Sequence, residues 1–336
     1  MSIILFCVLS LIFDSYSCQF VFRNRLADDK VIDEDWNEFK EKFNKSYSDH
    51  HDAFRKEAWL ANVKKIKTHN EEAKKGLHSY FLNDNNLADL SHQTYLQKMV
   101  KLTKSRHRKI DSEVVGDFYH KFHKIPEEIN WIEKGFVTPA YNQKDCGSCY
   151  AFSIAGMLQA QIFKQTEKLV PLSSQQLVDC SSKNGNYGCS GGSLRNTLRY
   201  LENTGGLMAY SDYPYIATQG KCHFKKDLAI VNITSWAVLP PRDEKALEAA
   251  VATVGPIAVS INAALHTFQF YHKGLYDDPG CTSLSVNHAM LLVGYTKDAW
   301  ILKNWWGKHW GEQGYMRLRR HKNRCGVSNY AAYALV

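Results

Sequence analysis

A cysteine and a glutamine near the middle of the chain are the residues best suited to do chemistry. The segment runs Gln143-Lys-Asp-Cys-Gly-Ser-Cys149-Tyr-Ala-Phe, and an almost wholly apolar stretch begins at Cys149. This stretch predicts a buried helix from Cys149 to Phe163. The N–H groups and the dipole at a helix N-terminus stabilise an anion, so a thiolate there has a lowered pKa and can attack a carbonyl carbon. The spacing therefore indicates nucleophilic catalysis by Cys149.

Three other interpretations of this cysteine pair stay open at this point. Cys146 and Cys149 are spaced as a redox couple, although no βαβ pattern surrounds them. They are also spaced as half of a zinc site, although no second CxxC or HxxxH follows. A lone buried cysteine is most often an inert core thiol. The surrounding pattern C-G-[SA]-C-[WY], which Tyr150 completes, favours a catalytic cysteine over all three.

A nucleophilic thiol needs a base that takes its proton and later returns it to the leaving amine, a role suited to histidine. His288 directly precedes an apolar strand predicted at 289–296, which would fix its backbone. Asn304 ends the strand predicted at 299–304 and supplies an amide oxygen that can hold the imidazole ring. Alone, His288 is typical of a strand edge and Asn304 of a turn. Together with Cys149 they predict a catalytic constellation.

Helices and strands occupy different parts of the chain beyond the CGSC segment. Residues 149–210 are predicted to be largely helical, whereas the pattern turns to β beyond about residue 230. The predicted strands, separated by Gly and Pro turns, are 257–262, 289–296, 299–304 and 314–319. This order predicts an α+β fold with a helical lobe packed on a β lobe and a cleft between them.

The N-terminus has the pattern of an export signal. An apolar run from Ile3 to Phe13 is followed by small residues at Ser15 and Ser17, which predicts a signal peptide at 1–18 rather than a buried first helix. The run is too short to span a bilayer, and no later segment is apolar enough to do so. Export makes disulfides the expected state of the cysteines. Seven follow the signal, an odd number that leaves one thiol free: Cys146, Cys149, Cys180, Cys189, Cys222, Cys281 and Cys325.

The stretch between the signal and the CGSC segment differs in composition from the rest of the chain. Residues 33–75 are rich in Lys and Glu and repeat large apolar residues every three or four positions, which predicts two amphipathic helices. The basic, polar residues 98–124 predict a solvated, cleavable linker rather than a nucleic-acid site, because no aromatic or strand pattern is interleaved with the charges. The net charge of +8 is spread along the whole chain.

In combination, these motifs resemble the papain family of cysteine proteases over nearly the whole chain, closest to the cathepsin L group. The resemblance implies a papain-like two-lobe fold, with a helical left lobe and an antiparallel β-barrel-like right lobe, preceded by an α-helical propeptide. It implies catalytic roles for Cys149, His288 and Asn304, and Gln143 as the side-chain donor to the oxyanion. The motifs are QKDCGSCYAFS, CSGG at 189–192, VNHAMLLVGY at 286–295 and KNWWGKHWGEQGY at 303–315.

The same resemblance divides the chain into an inhibitory propeptide at 19–124 and a mature peptidase domain at 125–336. The propeptide of this family crosses the cleft opposite to the substrate direction and leaves at acidic pH, which protonation of its carboxylates would promote. No metal and no organic cofactor is implied. The implied disulfides, which leave only Cys149 unpaired, are Cys146–Cys189, Cys180–Cys222 and Cys281–Cys325.

The family pattern also implies the residues that would bind substrate. Gly191 and Gly192 would pair with the substrate backbone, because the absence of a side chain permits close approach. Tyr330 stands where many relatives have a small residue, so Val or Leu is expected to fit the S2 pocket better than Phe. Trp305 replaces the usual Ser and is expected to alter the primed side. The resemblance implies an S2 pocket lined by Ser193, Leu194, Ser260, Val286 and Tyr330, and it implies Trp310 as a further substrate-binding residue.

The sequence therefore predicts a cysteine endopeptidase zymogen, of lysosomal or extracellular location, that acts through a Cys149 thioester. The expected partners are protein and peptide substrates, its own propeptide and cystatin-like inhibitors, with no nucleic acid and no membrane span, and a monomer is the family expectation. Sequons at Asn44 and Asn232 predict glycosylation. The rival hypotheses are a catalytically inactive papain-fold binding or matrix protein, and a propeptide whose main role is to inhibit other proteases.

Overall fold

The computed structural model describes residues 31–105 and 125–336. The predicted signal peptide and the predicted end of the propeptide at residue 124 lie outside the described residues. Two compact units divide the chain, Met1–Ala58 and Trp59–Val336. The long helix α2, Asp49–Lys74, runs through the boundary between them.

The described part of the first unit is built around one buried tryptophan. Residues 31–42 form helix α1, and the first turns of α2 follow it. The indole N–H of Trp36 donates to the carboxylate of Asp52 at 3.0 Å, and Lys40 Nζ donates to the same carboxylate at 2.8 Å. The rings of Trp36 and Phe39 stack with centroids 5.4 Å apart. The two amphipathic helices predicted for 33–75 are thus present.

The second unit begins with the remainder of α2, followed by strand β1, Tyr80–Leu82, and helix α3, His92–Lys98. The buried side of α2 repeats every three or four residues, as the periodicity predicted. Asn62 on that side donates from its amide nitrogen to the carbonyls of Ala88 at 2.8 Å and Leu90 at 2.9 Å. These bonds hold the chain between β1 and α3 against the long helix.

Three helices form the helical lobe: α4, Cys149–Thr166; α5, Ser174–Cys180; and α6, Leu194–Thr204. Nearly all of α4 is buried, because α5 and α6 pack on it and strands of the β lobe pack against it as well. The predicted apolar helix starting at Cys149 is therefore confirmed. Within the described ranges, no helix is both long and apolar enough to cross a bilayer.

The β lobe is a nine-stranded sheet whose order is β1-β7-β10-β9-β8-β6-β11-β5, with β2 paired to β8. Its pairs are antiparallel except β10 with β7. All four strands predicted from the sequence are present as β6, β8, β9 and β10. The strands are β2 Ile129–Asn130, β5 Ser235–Val238, β6 Ile257–Ile261, β7 Tyr271–Tyr276, β8 His288–Tyr295, β9 Ala299–Lys303, β10 Tyr315–Arg319 and β11 Ala331–Leu335, and a separate pair is β3 Leu207–Met208 with β4 Ala229–Val231.

Two features of this lobe were not predicted from the sequence. Helix α7, Glu244–Thr253, interrupts the β half, and the carboxylate of Asp243 caps it by accepting from the Ala246 N–H at 2.9 Å. A short helix α8, His266–Gln269, precedes β7. Strand β1 from the predicted propeptide pairs antiparallel with β7 and so extends the sheet of the predicted mature domain. The propeptide is therefore held partly by main-chain hydrogen bonds.

We predict that Asn62→Ala loosens this region without affecting the peptidase lobes. The Ala88 carbonyl loses its buried partner, whereas the Leu90 carbonyl keeps a bond from Gln269. An unsatisfied buried carbonyl costs about 1–3 kcal/mol. Hydrogen exchange of the α2 amides should speed up roughly tenfold or more. The matched control is Thr68→Ala, on the exposed side of the same helix; equal exchange in both variants would contradict the prediction.

Candidate active site

Cys149 is the first residue of α4, and it is completely buried. Burial raises the pKa of the Cys149 thiol to about 12, although the N–H groups of Ala289 and Tyr150 lower it by donating toward the sulfur. The N–H of Lys101, from the predicted propeptide, also reaches the sulfur. The lowered pKa predicted from the helix N-terminus is therefore wrong for this covered form of the protein, in which Cys149 is a protonated thiol at neutral pH.

His288 opens strand β8 beside Ile261 of β6, and its ring is fully buried. The Nε2 atom of His288 lies 2.8 Å from Oδ1 of Asn304, and the ring of Trp306 covers the imidazole with centroids 4.8 Å apart. Burial lowers the pKa of His288 to about 4, while the bond to Asn304 acts to raise it. The imidazole is therefore neutral at pH 7 in this structure.

The orientation of Asn304 decides which nitrogen of His288 can act as a base. Oδ1 of Asn304 also accepts the backbone N–H of Trp305 at 2.8 Å, so the amide oxygen faces the imidazole. His288 must then carry its proton on Nε2, which leaves Nδ1 as the basic nitrogen. Among the described residues Nδ1 has no hydrogen-bond partner. The N–H of Ala289, the residue after His288, is close enough to Cys149 to lower the pKa of its thiol, so the start of β8 lies beside the start of α4.

Gln143 is held from both its backbone atoms and its side chain. Its backbone N–H donates to the Trp305 carbonyl at 2.8 Å, and its carbonyl accepts the Tyr215 hydroxyl at 2.8 Å. That hydroxyl lies 2.6 Å from Oγ of Ser148, the residue before Cys149. The side-chain Nε2 donates to the carbonyls of Met99 at 3.2 Å and Cys146 at 2.9 Å. The predicted oxyanion donor is thus occupied by a carbonyl of the predicted propeptide.

Residues 99–105 of the predicted propeptide, here called the covering segment, lie along Gln143, Cys149 and Gly192. The N–H of Leu102 donates to the Asn287 carbonyl at 2.8 Å, and the N–H of Thr103 donates to the Gly192 carbonyl at 2.8 Å. Leu102 and Gly192 form a parallel bridge. The covering segment therefore binds the site through its backbone, in a direction fixed by the parallel pairing.

The predicted glycines lie under this segment. Gly191 has a φ of +115°, and a Cβ built on it would lie 2.1 Å from the Lys101 carbonyl oxygen. A Cβ on Gly192 would lie 2.7 Å from the ring of Tyr150, whose hydroxyl donates to the Gly188 carbonyl at 3.1 Å. A side chain at Gly191 would push away the backbone of the covering segment, and one at Gly192 would clash with the ring of Tyr150, which is the physical reason for glycine here.

The five residues predicted for the S2 pocket line one cavity of about 250 Å³. The covering segment closes this cavity from the other side. Arg195, which the sequence analysis did not propose, lines the cavity as well. The predicted residues brought together here are Ser193, Leu194, Ser260, Val286 and Tyr330.

Trp310 and Trp305 are both buried. Trp310 packs against Phe268, to whose carbonyl its indole N–H donates at 3.1 Å, and it packs edge-on against Trp306. It therefore supports the ring over His288 and presents no surface to a substrate in this structure. Trp305 stacks on Phe152 with centroids 5.5 Å apart and lines a neighbouring cavity with it. Its effect on the primed side stays a prediction.

The three disulfides implied by the sequence are present: Cys146–Cys189, Cys180–Cys222 and Cys281–Cys325. Cys149 is a free thiol. The Cys146–Cys189 bond joins the loop before α4 to the turn that carries Gly191 and Gly192. Since that turn accepts the covering segment, the bond fixes the two walls of the site relative to each other.

The sequence analysis missed three residues that contact the site: Met99, Tyr215 and Arg195. The Met99 carbonyl accepts a hydrogen bond from the Gln143 side chain, and the Tyr215 hydroxyl donates one to the Gln143 carbonyl. No spacing of motifs in the sequence predicts either contact. Arg195 directly follows the predicted pocket residue Leu194, so its position could have been examined. Consecutive side chains of an α-helix point about 100° apart, however, and only the structure decides which of them faces the cavity.

The fold and the Cys–His–Asn geometry define a thiol peptidase. Residues 125–335 match the papain family cysteine protease model, and residues 36–95 match the cathepsin propeptide inhibitor domain (I29). The chain belongs to the papain family of cysteine proteases and is a cysteine-type peptidase with a propeptide inhibitor domain.

Within the family, the chain belongs to the cathepsin L-like group. It is 37% identical to human cathepsin L2, over 91% of this chain and 93% of that protein. It is 39% identical to mouse cathepsin K, over 92% of this chain and 94% of that protein. The structure of digestive procathepsin L 3 from the larval midgut of Tenebrio molitor matches with a TM-score of 0.81 and 34% identity, over 91% of this chain and 99% of that one.

We predict that Tyr215→Phe slows the activated peptidase. The change removes only the hydroxyl that holds the Gln143 carbonyl and contacts Ser148, so the predicted oxyanion donor is less well positioned. Loss of one such hydrogen bond should lower kcat about five- to tenfold with little change in KM. Steady-state kinetics on one peptide substrate measures this effect. Tyr210 and Tyr215 line the same cavity next to the site, so Tyr210→Phe is the control. An equal loss of kcat in the Tyr210 variant would contradict the role assigned to Tyr215.

Proposed function

We propose that this chain is the zymogen of a cysteine endopeptidase that hydrolyses peptide bonds through a thioester at Cys149. The propeptide blocks the cleft, and acid-dependent proteolysis removes it. The observation that carries this proposal is the covering segment. The Met99 carbonyl accepts a hydrogen bond from the Gln143 side chain, and the Lys101 N–H lies close enough to Cys149 to lower the pKa of its thiol. The backbone of the segment also pairs with Gly192. A segment that occupies each of these groups at once is suited to block a peptide substrate.

Removal of this segment would restore the chemistry expected of the exposed pair. Water in the open cleft lowers the desolvation of Cys149 and His288, so the thiol proton can pass to Nδ1 of His288. The thiolate attacks the scissile carbonyl carbon, and Nε2 of Gln143 and the Cys149 N–H stabilise the negative oxygen that forms. The imidazolium then gives its proton to the leaving amine, and the C–N bond breaks to leave the thioester.

The second half of the reaction uses the same histidine in the opposite direction. Nδ1 of His288 takes a proton from water, whose oxygen attacks the thioester carbonyl. The C–S bond breaks, the carboxylic acid leaves, and the proton returns to the thiolate–imidazole pair. Asn304 keeps the ring oriented through both halves, and Trp306 keeps water from the Nε2–Oδ1 bond.

The proposal is tested by acid treatment of the purified full chain, followed by mass spectrometry and labelling with an epoxide-type cysteine protease inhibitor. We expect little label at pH 7, because the covered thiol is protonated, and label on Cys149 after the propeptide is lost. Cys149→Ala is the control. A processed, folded protein that takes no label and cleaves no peptide would instead support the inactive binding protein.

A cluster of basic groups provides a physical route to acid activation. His92 opens α3, and His266 opens α8 of the predicted mature domain; their ring centroids are 3.8 Å apart. Lys65 Nζ of α2 lies 3.3 Å from Nε2 of His266. Burial, followed by the proximity of His92 and Lys65, lowers the pKa of His266 to about 4. Burial also lowers the pKa of His92, although a hydrogen bond from its ring to the Gln269 side chain acts to raise it.

The direction of the pH effect follows from these shifts. Burial lowers the pKa of His266 to about 4, and two further causes, His92 and Lys65, belong to the predicted propeptide, so the docked form should bind a proton less readily than the released form. The docked form is therefore fully favoured above about pH 6.5 and loses stability as the pH falls toward 4. Protonation would place three cationic groups together across the α2, α3 and α8 contact. These histidines supplement the carboxylates on which the sequence-based hypothesis relied.

We predict that His266→Gln shifts acid release of the propeptide to lower pH. The shift should be about half a pH unit or more, because one of the protons that drive release is no longer taken up. Hydrogen exchange of the α3 and β1 amides, measured from pH 7 to pH 4 in the Cys149→Ala background, follows release without cleavage. His223→Gln, at an exposed position, is the control. An unchanged midpoint in the His266 variant would show that carboxylates alone set the switch.

Further features support the proposed processing. Ile125 is exposed, whereas the Pro126 carbonyl accepts the Tyr295 hydroxyl at 2.8 Å, as expected for a mature chain anchored just after its cleavage site. Asn44 and Asn232 are both exposed, as glycosylation requires. We propose a lysosomal or secreted, monomeric enzyme that acts on proteins and peptides and is inhibited by its propeptide and by cystatin-like proteins.

A further inference from the structure

The cavity beside the covering segment has an unusual chemical lining for an apolar specificity pocket. Leu194 and Val286 provide its apolar wall, and Ser260 on β6 contributes a hydroxyl. Ser260 is only 1% exposed, and within the described part of the chain its Oγ has no hydrogen-bond partner. A buried hydroxyl without a partner is unfavourable, so a ligand that brings a hydrogen-bonding group to it is favoured over one that does not.

A cation lines the same cavity. Arg195, at the start of α6, holds its guanidinium 5.7 Å from the ring centre of Tyr330 and 6.0 Å from that of Trp236. Contact with two aromatic faces restrains the long side chain at the cavity wall. The backbone of Ser260 donates to the Tyr330 carbonyl at 2.8 Å, which joins the strand carrying the hydroxyl to the loop under the guanidinium.

We propose that this pocket selects substrates with an acidic side chain, glutamate above all, at the second residue before the cleaved bond. The carboxylate of such a residue accepts hydrogen bonds from Arg195 and from Ser260, while its methylene groups lie against Leu194 and Val286. Bonds between two charged partners are the stronger ones, and a planar guanidinium fits a carboxylate. The inference rests on the proposed function, because it concerns the peptides that the activated enzyme cleaves.

The test compares peptides that are identical except for Glu, Gln or Leu at P2, with the acid-activated full chain as the enzyme source. Glu and Gln have the same shape, so the ratio of their kcat/KM values isolates the charge. We expect Glu to exceed Gln about tenfold at pH 5.5. The ratio should approach one as the pH falls through the glutamate pKa of about 4.3, where the peptide becomes neutral.

Variants identify the cation responsible. Arg195→Met should bring the Glu/Gln ratio to about one, and epoxide labelling of Cys149 after acid treatment shows that this variant folds and is processed. Arg195→Lys should keep part of the preference, because it keeps the charge. Arg199→Met is the matched control: this arginine lies one turn further along α6 and lines a different cavity, so the ratio should stay unchanged.

Equal cleavage of the Glu and Gln peptides by the unaltered enzyme would overturn the inference, as would a Glu preference that survives in Arg195→Met. Failure of the proposed function has a different signature: the Leu peptide is not cleaved either, and Cys149 takes no epoxide label. In that case both proposals fall together. Active enzyme without a charge preference removes only the inference about the pocket.

Discussion

Burial of the Cys149 sulfur is the constraint on which the rest of this structure depends. A thiol at a helix N-terminus, surrounded by backbone N–H groups, is placed to ionise, yet the covering segment removes the water that a thiolate needs. The same burial keeps His288 neutral. The covered form thus holds the predicted catalytic pair in its uncharged state.

In the proposed zymogen, the propeptide occupies the groups that the proposed reaction needs. Gln143 donates to a propeptide carbonyl, and Gly192 accepts a propeptide N–H. Because these contacts involve the propeptide backbone, they place few restrictions on its side chains. They depend instead on the direction in which the propeptide chain runs through the site. The parallel pairing at Gly192 and the strand added at β7 fix that direction. Specific side-chain contacts, such as Asn62 with the Ala88 carbonyl, then hold the backbone in place.

Two groups of side chains give the shared architecture properties of its own. The contact of Lys65, His92 and His266 places basic groups where the predicted propeptide meets the predicted mature domain, and protonation of these histidines is the proposed cause of release in acid. Arg195 and Ser260 place hydrogen-bond donors in a pocket whose remaining wall is apolar. Neither group alters the Cys149, His288 and Asn304 arrangement. Regulation and selectivity can therefore vary while the chemistry stays the same.

The sequence by itself determined the elements and the chemical residues, because both have strong local signals. The apolar run from Cys149, the alternating strands of the β half and the odd cysteine count are read from neighbours in the chain. Contacts between distant segments were decided only by the tertiary structure. The pKa of Cys149 follows from desolvation by residues that are distant in the sequence. Trp310 and Trp305 point inward because the sheet packs on α4. Arg195 faces the cavity because of the way α6 is rotated about its axis. Helix α7 inside the β half was likewise set by its cap and its packing on β8. The local sequence pattern determines which reactive side chains the chain contains. Burial arises only when the chain folds, and it determines the charge of these side chains and the groups that they contact.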